Sequence, residues 1–102
     1  MIVQLTMFPT SKRGDSASED VARVIDIIDK SGLPYKAGPM STSIEGGWDE
    51  VMAVINKARL MLRKKHSRIY IIITIDDRKG AKNRLSGKVQ SIENRLGREV
   101  RK

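Results

Sequence analysis

Asp76 and Asp77, followed by Arg78, put two carboxylates and a guanidinium side by side. Such a run suits a ligand-binding carboxylate with a cationic clamp, or a strand-end ion pair, and the ion pair or turn is the favoured expectation. Neighbours on a strand point to opposite faces, so the two Asp side chains are poorly placed as a general acid and base. His66 is the only histidine. Set between Lys65 and Arg68, it is expected as a solvated turn residue, and a metal site there would lack companions. With no cysteine, the chain has no thiolate zinc ligand, no Cys nucleophile and no disulfide frame. It has no Ser-His-Asp set and no P-loop spacing, and Gly46-Gly47 is too short to cradle a phosphate. Trp48, at a helix start, suits a packing anchor better than a stacking platform. The expectation is a protein that binds rather than catalyses, with no catalytic residue, no metal and no cofactor.

Length and charge narrow the partner. The chain has 102 residues, 39% hydrophobic and 31% charged, enough for one domain over 1–102 with a modest core. Its start lacks a basic region ahead of the apolar residues, so no signal peptide is expected. The apolar run Ile69–Ile73 is far short of the roughly 20 residues of a membrane span. A soluble, cytoplasmic domain away from the membrane is the expectation. The formal net charge of +8 invites a nucleic-acid reading. However, nine basic and two acidic residues fall between Arg78 and Lys102, leaving the preceding segment nearly neutral. A solvated basic helix explains this about as well as a phosphate-binding face. The four aromatics (Phe8, Tyr35, Trp48, Tyr70) lie outside the basic segment, which therefore offers no stacking platform.

Hydrophobic periodicity supplies the elements that must position these groups. Residues 2–8 alternate and end at Pro9, the pattern of a strand. After a polar loop over Thr10 to Ala17, Ser16 or Ser18 is the expected N-cap of a helix with the stripe Val21, Val24, Ile25 and Ile28. Gly32 supplies its left-handed stop. Two short strands, about 33–38 and 40–46, are expected on either side of a break near Gly38-Pro39. A second helix begins near Trp48 with the stripe Val51, Val54, Ile55, Ala58 and Leu62. From Arg68 to Asp76, Ile69, Ile71, Ile73 and Ile75 share one face of a strand. A last helix carries Leu85, Val89, Ile92 and Leu96.

The order β-α-β-β-α-β-α contains the split βαβ pattern of the ferredoxin-like fold, an α+β sandwich, here with an extra C-terminal helix. Two helices cover one face of its four-stranded sheet. The other face would show Ile2, Gln4, Thr6, Phe8, Tyr70, Ile72 and Thr74. An apolar patch of that kind usually marks an interface, so a homo-oligomer joined by sheet faces or strand edges is expected. The mixed polarity also suits a pocket for a small polar aromatic ligand between subunits.

The stretch Pro39-Met40-Ser41-Thr42-Ser43-Ile44-Glu45-Gly46-Gly47-Trp48-Asp49-Glu50-Val51 resembles the Pro-Met-Gly-Thr-x-x-Glu-Gly-x-x-Asp-x-Val signature of the thiamine-binding protein family. The strand ending in Pro9, the Ser-x-x-Val-Ala start of the first helix, and Ile73-Thr74-Ile75-Asp76-Asp77-Arg78 agree with it in order. The resemblance implies a small cytoplasmic ferredoxin-like protein, a tetramer built as a dimer of dimers. It also implies kinship with tandem-domain proteins that bind thiamine or its hydroxymethylpyrimidine half. The family's usual Gly after Pro-Met is Ser41 here, and a side chain at that bend narrows a pocket.

Thiamine has a cationic thiazolium, an aminopyrimidine with donor and acceptor edges, and a hydroxyl. Given the resemblance, Glu45 suits the cation, Thr42, Ser43 and Thr6 the polar edge, Phe8 or Tyr70 an aromatic wall, and Asp76 a further carboxylate. Each has a plainer role as well: Thr42 and Ser43 as cross-strand partners, Glu45 as a cap for the following helix, Thr6 at a subunit contact. Two other functions compete. A nucleic-acid binder is disfavoured because Ile-Tyr-Ile-Ile-Ile-Thr-Ile lacks the aromatic stretch of an RNA-recognition strand. The other is an oligomeric scaffold or regulatory subunit with a different ligand.

Overall fold

A computed structural model describes residues 1–10, 15–80 and 85. The elements run β1 (Ile2–Pro9), α1 (Asp15–Lys30), β2 (Tyr35–Ala37), β3 (Thr42–Glu45), α2 (Trp48–Arg63) and β4 (Ile69–Asp76). All strand pairs are antiparallel, in the order β2-β3-β1-β4. This is the expected ferredoxin-like α+β sandwich. The expected last helix lies outside the described residues apart from Leu85, which is helical.

Alternation in β1 divides the sheet. Val3, Leu5 and Met7 are buried under the helices and pair with Ile75, Ile73 and Ile71 of β4. From α1, Val24 and Ile28 enter this core, and from α2, Val51, Ile55, Ala58 and Leu62. These are stripe residues at i, i+3, i+4 spacing, which places them on one side of each helix. α1 starts at Asp15, before both expected caps, and stops after Lys30. Gly32 there takes φ +81°, a conformation that a Cβ disfavours.

β2 and β3 are shorter than their patterning suggests. The Gly38 N–H donates to the Ser41 carbonyl at 2.8 Å and closes a tight turn. Pro39 has no N–H to give a ladder. A Cβ on Gly38 would lie 3.0 Å from that carbonyl, so a side chain there would crowd the turn.

The edge bonds fix which main-chain groups point where. Met1 and Gly46 exchange hydrogen bonds of 2.9 and 3.1 Å, and Thr10 N–H donates to Arg68 O at 3.1 Å. The register is unbroken, so odd positions of β1 turn their main-chain groups toward β3 and even positions toward β4. β3 pairs with β1 no further than Leu5.

His66 corrects the expectation from its basic neighbours. It is 3% exposed, and its Nε2 lies 2.9 Å from Oδ2 of Asp20, itself 5% exposed. The pair ties the end of α2 to α1 across 46 residues. Removing one partner strands the other in a dry site, at a cost of about 1–3 kcal/mol. His66→Ala is therefore expected to lower the urea midpoint by that equivalent with an unchanged slope, measured by circular dichroism. A midpoint equal to the parent's would show that the pair contributes nothing to stability.

Candidate functional site

The strand register assigns each expected site residue to a face. Ile2 sits opposite both Glu45 and Asp76, Gln4 opposite Ser43 and Thr74, Thr6 opposite Ile72, and Phe8 opposite Tyr70. Directly opposed residues share a face, so all of these lie on the helix-free side. Thr42 pairs with Leu5 and stands on the helix-covered side, 8% exposed. The seven residues are therefore not one cluster.

The helix-free face has two poles. At one end Phe8 and Tyr70 stack, with ring centroids 5.5 Å apart. Six residues along β1, a separation of roughly 20 Å, Glu45 and Asp76 flank Ile2. That is too far for one small ligand to touch both ends. The Glu45 carboxylate also has protein partners: its Oε1 accepts the Leu85 N–H at 3.2 Å. Capping of α2 falls instead to Glu50, whose Oε1 accepts the Gly47 N–H at 3.3 Å. Trp48 is 57% exposed at the head of that helix, so it does not anchor the core.

A concave site lies where β1 outruns β3. It is a cleft of about 290 Å³ between the second half of β1, the Val21, Val24 and Ile25 side of α1, and residues 37–42. Among the described residues its lining holds no ionisable side chain. The walls are apolar, and hydroxyls come from Thr6, Ser41 and Thr42. The alternation of β1 turns the Met7 N–H and C=O toward this side, past the end of β3. Two hydrogen bonds hold the turn against β1: Gln4 Nε2 donates to Ser41 Oγ at 2.7 Å, and Thr6 Oγ1 donates to the Met40 carbonyl at 3.2 Å.

Three of the expected residues, Thr6, Phe8 and Thr42, line this cleft, whereas Ser43, Glu45, Tyr70 and Asp76 do not. Val21, Ile25, Gly38 and Met40 were not singled out for a site, although they line it. The Gly38-Pro39 break and the exposed end of the α1 stripe (Val21 is 41% exposed) were the available signals. No group of three His, Cys, Asp or Glu that could hold a metal ion occurs among the described residues. None of the described helices is long and apolar enough to cross a membrane.

Residues 3–93 match a family model described as thiamine-binding protein. A UPF0045 protein of Mycobacterium bovis is 35% identical over 84 residues, covering 81% of this chain and 82% of that protein. A crystal structure of a hypothetical protein from Methanocaldococcus jannaschii superimposes with a TM-score of 0.80 at 25% identity, covering 89% of this chain and 93% of the other. One from Thermotoga maritima, a thiamine biosynthesis/salvage candidate, gives 0.79 at 24% identity, covering 89% and 96%. The last of these likenesses shows the fold alone.

The Gln4–Ser41 hydrogen bond is exposed, so its net worth is small. Ser41→Gly is expected to cost less than about 1.5 kcal/mol in urea unfolding. A larger loss would mean that the turn over the cleft depends on that one bond.

Proposed function

The chain belongs to the thiamine-binding protein family, and we propose that it binds thiamine or its hydroxymethylpyrimidine half without catalysis, in the cytoplasm, as a homo-oligomer. The cleft beside β1 is the ligand site. One observation carries this reading: an apolar recess with no ionisable side chain among its described lining residues, whose rim offers hydroxyls and a strand edge, with the turn at residues 37–42 as one wall.

The chemistry favours the pyrimidine ring as the part held inside. An aminopyrimidine is flat and largely apolar on its faces, and its edge carries an amino donor beside a ring-nitrogen acceptor. The Met7 C=O and N–H form the complementary acceptor and donor, as a neighbouring strand would find them. Thr42 and Thr6 hydroxyls suit the hydroxymethyl group, and Phe8 with Val21 and Ile25 covers the ring faces. The thiazolium of whole thiamine has no carboxylate among the described lining residues, so the cation points out toward solvent or a neighbouring subunit.

The helix-free face supports self-association. Phe8, Tyr70 and Ile72 are 38–49% exposed there, a patch of the kind that marks an interface. Because Phe8 also lines the cleft, a second copy over this face would close the cleft on that side.

Isothermal titration of hydroxymethylpyrimidine and thiamine into the purified protein tests the reading. Saturable binding is expected for both. Thr42→Val, which removes a hydroxyl from the cleft wall, is expected to weaken it by about tenfold, near the upper worth of one neutral hydrogen bond. Leu60→Ala, on an exposed part of α2 away from the cleft, should leave it unchanged. No heat with either ligand from an intact, folded protein would overturn the ligand assignment.

A further inference from the structure

The chain carries five methionines and no cysteine, so thioethers are its only oxidisable sulfur. Burial separates the five. Met7 is 6% exposed inside the core, and Met1, Met52 and Met61 are half-buried against it. Met40 is 84% exposed, the most open large apolar side chain among the described residues, and it adds nothing to the core. It also lines the cleft beside β1. Its main chain and its side chain are held very differently. The Met40 carbonyl accepts the Thr6 hydroxyl at 3.2 Å, inside the turn that the Gly38 N–H and the Ser41 carbonyl close at 2.8 Å. Gln4 ties the next residue, Ser41, to β1 at 2.7 Å. The backbone is thus pinned at the mouth of the cleft while the thioether stands in water. A flexible, polarisable thioether in that place can fold over the face of an aromatic ring held in the recess.

We propose that Met40 is a reversible oxidation site, and that its sulfoxide weakens ligand binding in the cleft. This role rests on the ligand site proposed above and adds its regulation. The oxidant is a peroxide. The sulfur lone pair attacks one peroxide oxygen, an S–O bond forms as the O–O bond breaks, and water leaves after proton transfer. Sulfur gives up two electrons and the peroxide takes them. A thiol-dependent sulfoxide reductase reverses the change, with the oxygen leaving as water. Reaction requires access, so Met40 oxidises ahead of the four shielded methionines. The product is polar and chiral. Laying it over an apolar ring face costs its hydration, so the oxidised side chain stays in solvent and the ring loses its cover. The turn is pinned through its main chain, so the fold does not depend on which form the side chain takes.

Limited treatment of the full-length protein with hydrogen peroxide, followed by peptide mass spectrometry, tests the site. Met40 is expected to gain one oxygen several-fold faster than Met1, Met7, Met52 or Met61. Equal rates across the five overturn the assignment. Titration of hydroxymethylpyrimidine before and after treatment tests the effect. Affinity should fall about fourfold, the equivalent of roughly one buried methylene group, and recover after incubation with a methionine sulfoxide reductase. Met40→Leu has no sulfur at this position, so its affinity, whatever the starting value, should not change on treatment. The urea midpoint should be the same before and after oxidation, and a lower one would assign the loss to unfolding and overturn the proposal. An unchanged affinity once Met40 is oxidised, or a loss of equal size in Met40→Leu, overturns it too. A parent protein that does not bind hydroxymethylpyrimidine before treatment overturns the ligand reading and the regulatory role with it, while the mapped rates still decide the oxidation site.

Discussion

The unequal length of two neighbouring strands shapes the rest of the molecule. β1 runs for eight residues and β3 for four. Where β3 stops, at the Gly38–Ser41 turn, β1 continues with one edge satisfied by β4 and the other facing a gap. α1 roofs that gap with Val21, Val24 and Ile25, and the turn walls it. A longer β3 would fill the gap and leave a more regular sheet with no recess. The same turn is held to β1 by Gln4 and Thr6, so the cleft has a fixed wall.

That arrangement separates two tasks that residue types alone would place together. The carboxylates of Glu45 and Asp76 stand at the opposite end of β1 from the cleft, and Glu45 holds the amide of Leu85. Among the described residues, attraction for a cation and recognition of a ring edge are thus not combined in one recess. The aromatic pair Phe8–Tyr70 lies at the cleft end, and Phe8 belongs to both the recess and the helix-free face. Ligand binding and association between copies are coupled through that residue in the proposed account. The buried Asp20–His66 pair plays a different part, fixing α1, and with it the cleft roof, to the end of α2.

Much of the fold is legible in local pattern. The alternation of Val3, Leu5 and Met7 and the helix stripes at Val24–Ile28 and Val51–Leu62 recur as the core because period 2 and period 3.6 dictate which side chains share a face. The site is legible only in part. Thr42 and Ser43 are adjacent in the signature segment, yet their one-residue offset sends them to opposite faces, and only the pairing with Leu5 and Gln4 reveals which goes where. His66 looked solvated because its sequence neighbours are basic, whereas its partner Asp20 lies 46 residues away. The position of Trp48 at a helix start suggests an anchor, but it is the first residue of a helix whose buried stripe starts three residues later, at Val51. Each of these depends on a contact between distant segments, which periodicity does not encode.

The central claim is that the end of β3 creates the ligand site. Titrating hydroxymethylpyrimidine into isotopically labelled protein and following the backbone amide resonances tests it most directly. The account predicts that the largest shifts fall on Met7 and its neighbours Thr6 and Phe8, on Gly38 to Thr42, and on Val21 and Ile25. Shifts centred instead on Ser43, Glu45 and Asp76, with Met7 and the turn unmoved, would contradict it.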